Sequence, residues 1–295
     1  MAWTRTCTEK CWTPSEAKGL GCGLIGGVPG LNPRRNTEEP IKTRRPGRSF
    51  YYGRMSRRVR ISTDIEGIVM KVVFACVSIL GLAGAAATAV AAQDRPEVAF
   101  NLGVVSDYVF RGASQSDEGA AIQGGVDVAL AGLYGGAWAS SVDFGDGTDA
   151  EIDLYGGYSA EAGGFTLDVG MVGYLYVGAP DGTDYGFVEF KAAASRHFGA
   201  TTLGAAVHYS PDFFGVDEQA TYLEANAAVA PAERWTVSGA VGRQWLDVSD
   251  DYTAWNLGVG YAMTNTLAVE VRYHGASIDG PLTDDRIVAG LTSTF

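Results

Sequence analysis

Between Val98 and Arg111 the chain alternates with a period of two. Val98, Phe100, Leu102, Val104, Tyr108 and Phe110 fall on one parity, whereas Asn101, Asp107 and Arg111 share the other with Ala99, Gly103, Val105 and Val109. Successive side chains of a strand point to opposite faces, so the stretch predicts a long strand with one apolar face and one polar or small face. Eleven further alternating segments follow: 122–130, 134–142, 152–160, 165–175, 185–194, 203–209, 221–229, 235–241, 254–261, 267–273 and 286–295. None has a helical period.

The connections alternate as well. Even-numbered segments end in short turns such as Ala131-Gly132 and 161–164, whereas odd-numbered ones lead into longer or acidic stretches: 114–119, 143–150, 178–184, 210–219, 247–251 and 276–285. Short turns at one end and long loops at the other, with an even strand count, predict an all-β fold. It is a single up-and-down antiparallel transmembrane β-barrel of about 12 strands, with short periplasmic turns and acidic extracellular loops. A soluble β-sandwich or lipocalin-like barrel alternates too. Against it stand Tyr108, Tyr134, Trp138, Trp235, Trp255, Tyr261 and Tyr273 on the apolar parity, which read as aromatic girdles, and an opposite parity that mixes Gly and Ala with charge.

Charge divides the chain in two. Residues 1–92 hold 14 Lys+Arg and 6 Asp+Glu, and residues 93–295 hold 8 and 28, so the net charge changes from +8 to −20. At the boundary, Met70-Lys71, an apolar run from Val72 to Leu82 and an Ala-rich stretch to Ala92 make a secretory signal peptide with its cut after Ala92. The Arg-rich, Pro- and Gly-punctuated residues 1–69 read as disordered or as a mis-called extension, with Met70 the expected start. Gly21-Cys-Gly23-Leu-Ile-Gly26 lacks the flanking strand and helix of a dinucleotide site, and Cys7, Cys11 and Cys22 lack zinc spacing. No cofactor or metal is expected. All four cysteines precede residue 93, so residues 93–295 must hold together without disulfides.

Ser106-Asp-Tyr-Val-Phe-Arg-Gly112, Ser114-Gln-Ser116, Gln123-Gly-Gly125, Leu133-Tyr-Gly-Gly-Ala-Trp-Ala-Ser140 and Tyr209-Ser-Pro-Asp-Phe-Phe-Gly215 resemble the TorF-type family of porin-like proteobacterial proteins. The resemblance covers about residue 98 to the end. It implies an outer-membrane barrel with a pore role.

Candidate pore-lining residues are the charged members of the inward parity: Asp107, Arg111, Asp127, Asp153, Asp168, Glu189, Lys191, His208, Glu224, Glu270, Arg272 and Arg286. Rings of charge set selectivity in a pore, and the same groups paired with one another would seal it. Asp117, Glu118, Asp146, Asp149, Asp181, Asp184, Asp217, Glu218, Asp250, Asp251, Asp284 and Asp285 form a candidate acidic extracellular mouth that would concentrate cations, or simply keep the exposed end soluble. The repeated Asp-Gly-Thr-Asp at 146–149 and 181–184 reads as turn chemistry before calcium binding.

The leading expectation is a channel for small solutes or cations through a narrow acidic pore, without enzymatic activity. One alternative is a lipid A deacylase-like hydrolase using His208 and Ser210, two residues apart on one strand face. Another is a closed structural or adhesive barrel. Expected partners are outer-membrane lipid and the barrel assembly machinery, through the C-terminal strand ending in Phe295. The charge of −20 disfavours nucleic acid.

Overall fold

The structure is a computed structural model that describes residues 95–295; the signal peptide and N-terminal extension expected from the sequence lie outside the described residues. Among the described residues fourteen strands are formed: β1 (Glu97–Val105), β2 (Val109–Phe110), β3 (Ala113–Ser114), β4 (Ala121–Leu130), β5 (Leu133–Ser141), β6 (Ala150–Ala162) and β7 (Phe165–Val177) come first. They are followed by β8 (Phe187–Phe198), β9 (Thr201–Ser210), β10 (Ala220–Ala232), β11 (Trp235–Leu246), β12 (Tyr252–Ala262), β13 (Leu267–Ala276) and β14 (Arg286–Thr294). Twelve of them, all but β2 and β3, form one closed antiparallel barrel in which β1 pairs with both β4 and β14. Leu102 sits opposite Gly124 on one side and Ser293 on the other, so the wall has no free edge.

The two ends differ as the spacing predicts. At one end the strands turn tightly: Ala131-Gly132 and Gly163-Gly164 hold φ values of 52° and 85°, and 60° and 78°. Positive φ at both central residues is the two-residue turn whose twist matches the flanking strands. At the other end lie all six long connections, carrying every residue of the candidate acidic mouth.

The barrel is inside out relative to a soluble protein. On the outer face Leu257 and Ile287 are 59% and 72% exposed, while inward Glu151 and Gln244 are 0% exposed. A surface that exposes large apolar side chains along eleven of its twelve wall strands requires an apolar solvent, which excludes the soluble β-sandwich. Trp235, Trp255, Tyr261 and Tyr273 lie on this face, and Trp235 and Tyr261 pack against each other with ring centroids 4.8 Å apart beside the short turns.

Tyr108, Tyr134 and Trp138 do not join that girdle; they point into the barrel, where Tyr108 and Trp138 stack edge to face at 5.5 Å. Tyr134 and Trp138 share the parity of Gly136 and Ser140 on β5, and a hydroxyl or indole N–H satisfies the interior as well as the membrane interface. The first strand is also shorter than its alternation suggests. β1 leaves the wall after Val105, which pairs with Ala121 and Gly290, and Ser106–Ala120 folds into the lumen. There β2 and β3 form a small hairpin around Arg111 (φ 42°) and Gly112 (φ 85°). Asp107 and Arg111 therefore belong to this inner hairpin loop and not to the wall. Alternation alone does not separate a wall strand from a hairpin arm, because both have a period of two.

Candidate functional site

The interior is layered along the barrel axis. At the loop end the connection 211–219 folds inward as a 3-10 turn over Phe213–Gly215, with Phe214 held at φ 59°. This sets Phe213 and Phe214 against Phe187 of β8, at centroid distances of 4.9 and 5.1 Å, and Phe187 stacks on Tyr174 at 4.2 Å. Phe144, Tyr176 and Tyr185 pack around them. The result is an aromatic lid beneath the acidic loops. A non-glycine residue at positive φ costs about 1–3 kcal/mol and persists only when its surroundings over-determine it, as these rings do at Phe214.

Below the lid lies the charged layer, and the inner hairpin crosses it. Arg111 reaches the opposite wall, where Nη1 and Nη2 donate to the two oxygens of Glu189 at 2.8 Å each and Nη1 also donates to Gln244 Oε1 at 3.0 Å. Its guanidinium lies over the Tyr222 ring, 4.2 Å from the centroid, and the Tyr174 hydroxyl donates to Glu189 Oε2 at 3.1 Å. The hairpin is tied elsewhere too. Tyr108 donates to Glu151 at 3.0 Å, Asp107 accepts from Arg286 at 2.8 Å and from Ser114 at 2.6 Å, and Ser114 N bonds Leu282 O at 2.8 Å. These bonds reach β6, β8, β11 and β14, so the loop spans the lumen and does not line one side of it.

Four more charged clusters complete the layer. Lys191 is 2.7 Å from Asp168, which also accepts from Tyr134 at 3.2 Å. Arg272 donates to both oxygens of Glu270, at 2.7 and 2.9 Å, and to Ser238 at 2.7 Å and Asn256. Glu224 accepts from Asn226 at 3.1 Å and from Tyr222 at 3.3 Å, and Asp127 accepts from Tyr155. Asp153 is fully buried on the same β6 face as Glu151.

Water access stops within this layer. Two residues along β8, the side-chain exposure falls from 18% at Lys191 to 1% at Glu189, and along β13 from 20% at Glu270 to 4% at Arg272. In both strands the exposed member lies nearer the short turns. The short-turn half of the lumen is therefore an accessible vestibule, lined by small and polar side chains such as Asn101, Ser159, Thr166, Ser195 and Thr236, all half-buried. The loop half is packed shut.

All twelve candidate pore-lining residues thus face the interior, ten from the wall strands and Asp107 and Arg111 from the hairpin loop. Sequence reasoning left Glu151, Gln244, Tyr174 and Tyr222 out of the candidate set, although parity places each inward. His208 is 4% exposed with Nδ1 at 3.5 Å from Glu189, and Ser210 is 0% exposed; no hydrogen bond joins them. Both sit inside the barrel under the aromatic lid, on the lumen face and not the lipid face.

In the mouth, Asp146 accepts from Thr148 N at 2.9 Å and from the Tyr185 hydroxyl at 2.7 Å, and Asp184 accepts from Gly186 N at 2.9 Å. These aspartates make their own turns, as the Asp-Gly repeats suggest. Glu118 is 3.3 Å from Arg286, Asp251 is 3.6 Å from Arg243, Asp217 N bonds Asp212, and Asp285 accepts from Tyr273 at 2.6 Å. Asp117, Asp149, Asp181, Glu218, Asp250 and Asp284 are exposed on the same six loops.

The profile of a family described as a bacterial protein of unknown function, Gcw_chp, matches residues 89–293. The chain belongs to this family. The Gcw_chp description assigns no activity and does not carry the TorF name. No curated protein matches the chain. Among solved structures, a KdgM porin aligns with a TM-score of 0.49 and 8% identity over 67% of this chain and 99% of its own. The COG4313 outer membrane channel from Pseudomonas putida F1 aligns at 0.46 and 12% over 71% and 97%. The Pseudomonas putida toluene transporter TodX aligns at 0.38 and 13% over 68% and 87%. The Gcw_chp chain is similar to these barrels in architecture.

Proposed function

We propose that this Gcw_chp chain is a porin-like channel of the bacterial outer membrane that passes small cationic solutes. The observation that carries the reading is the charge of the lumen. Among the described residues the layer holds eight carboxylates (Asp107, Asp127, Glu151, Asp153, Asp168, Glu189, Glu224, Glu270) against four fixed cations (Arg111, Lys191, Arg272, Arg286). A low-dielectric wall focuses that excess, raising cation occupancy and repelling anions. The acidic loops extend the same field beyond the barrel. The TorF-type resemblance implies a pore role, and two of the segments that carry it, 106–112 and 209–215, supply the inner hairpin and part of the aromatic lid, the elements that would have to move for the lumen to open. Export through the 70–92 signal peptide, and insertion through the C-terminal strand ending in Phe295 into outer-membrane lipid by the barrel assembly machinery, belong to this reading.

The test is single-channel recording of the full-length precursor's product, purified from outer membranes, beside a variant in which Val109–Ser114 is replaced by two glycines. Discrete steps whose reversal potential in a salt gradient is cation-selective support the reading. Silence of both proteins, or anion selectivity, overturns it and favours a closed structural barrel.

A further inference from the structure

We infer that the lumen contains a guanidinium-recognition site, that Arg111 occupies it as a built-in occupant, and that a small solute bearing a guanidinium competes for it and so unlatches the inner hairpin. The inference rests on the channel reading for its consequence, but the site stands on its own geometry.

The constellation around Arg111 is complete for this one chemistry. A planar guanidinium is recognised by a carboxylate that accepts two parallel N–H bonds, and Glu189 does so at 2.8 and 2.8 Å. Gln244 supplies a further acceptor at 3.0 Å, and Tyr222 supplies the stacking face at 4.2 Å. An ammonium would satisfy the charge and leave the fork and the platform unused. The acceptors are fixed before any occupant arrives: Tyr174 holds Glu189, while Gln244 Nε2 donates to Thr221 O at 3.3 Å. Four different strands, β7, β8, β10 and β11, contribute, so the site belongs to the wall and survives departure of the hairpin.

Two observations outside the Arg111 contacts point to a ligand. Ser210 on β9 and Tyr252 on β12 are 0% and 3% exposed, and neither hydroxyl has a hydrogen-bond partner. They flank Glu189 and Gln244 across adjacent strand pairs, Gln244 lying directly opposite Tyr252. Buried hydroxyls without partners are costly, and here they offer unused donors beside a cation slot, where the carboxylate or carbonyl of an arginine-like solute would reach them. The occupant is also removable. Arg111 stands at φ 42° on a two-residue turn and its guanidinium is held by side-chain contacts, while no ladder joins β2 or β3 to the wall and single backbone bonds, Ser114 N to Leu282 O and Asp143 N to Gln115 O, tie the loop behind it. A competing guanidinium therefore replaces Arg111 bond for bond and removes the hairpin's tie to β8 and β11, leaving it held at Tyr108, Asp107 and Ser114.

The experiment uses the full-length chain and methylguanidinium chloride as the probe. Arg111→Ala vacates the slot, and millimolar methylguanidinium should raise its thermal unfolding midpoint, read as loss of the heat-modifiable gel band, while leaving the wild type unshifted. Adding Glu189→Gln to that variant should weaken the probe's effect about tenfold or more, since a charge-assisted bidentate pair becomes a single neutral acceptor. Tetramethylammonium at equal concentration should do nothing. In bilayers, Arg111→Ala should open more often than wild type, and methylguanidinium should raise opening of the wild type itself, a measurement that needs no variant to fold. Absence of both the midpoint shift in Arg111→Ala and the wild-type response overturns the site. A midpoint shift without conductance from any protein leaves the site standing and overturns the channel.

Discussion

The Arg111–Glu189 pair fixes the magnitude of one perturbation closely enough to test the packing of the lumen. Both side chains are almost entirely buried, at 5% and 1% exposure, and two bonds of 2.8 Å join them. At that separation and an effective dielectric of about 20 the attraction is about 6 kcal/mol, against which each ion's desolvation must be set. Removing one partner leaves the other charge buried, so Arg111→Ala and Glu189→Gln are each expected to cost about 3–5 kcal/mol. The double variant strands no charge and should cost about as much as one single change, giving a coupling energy of about 3 kcal/mol. Urea unfolding in lipid vesicles, followed by tryptophan fluorescence for the four proteins, measures the cycle. Effects that add to within about 0.5 kcal/mol would refute a desolvated, direct pair and with it the hairpin's passage across the lumen.

Two further outcomes follow from other parts of the barrel. Leu257 lies mid-strand on β12, opposite Gly239 and Tyr273, and is 59% exposed; Leu257→Lys should lose about 2–4 kcal/mol in vesicles, the cost of a cation at the bilayer midplane, and a neutral result would deny that this face meets lipid. In the mouth, burial pushes the Asp146 carboxyl up, but the Thr148 backbone N–H and the Tyr185 hydroxyl outweigh it and hold the group below its ordinary value. Burial and the bond to Asp146 push the Tyr185 hydroxyl up to about 12. The Asp146 contribution is full above the ordinary carboxylate range and lost as pH falls through the lowered value. That of Tyr185 is full below its ordinary 10.0 and lost as pH rises through about 12. Limited proteolysis of 142–149 and 178–186 should be slowest between these limits and faster on both sides, with Asp146→Asn abolishing the acid limb; a rate that ignores pH through both limits would refute the tie.

The wall of the barrel was legible in the sequence because a closed sheet between two solvents imposes one rule on every strand. Val98, Leu257 and Ile287 must face lipid and Asp127, Glu189 and Arg272 must not, so parity alone sorts them. The same rule misplaced the first loop. Asp107 and Arg111 keep the parity of β1, and nothing in the period marks Ser106 as the point where pairing with β14 ends; only Arg111-Gly112, a turn dipeptide in retrospect, hints at a hairpin. Aromatic residues carried a second ambiguity, since Tyr134 and Trp138 suit a membrane interface and a polar interior equally. Their partners decide, and Asp168 beside Tyr134 is 34 positions away in the chain. Register across the barrel is what alternation omits. It is also what converts a set of inward charges into pairs: Arg111 meets Glu189 only because a loop from β1 crosses to β8. A lumen read as rings of charge is therefore a lumen of local pairs with a residual negative excess, and in the proposed channel that excess, together with the cation carried by the inner hairpin, would govern selectivity and closure.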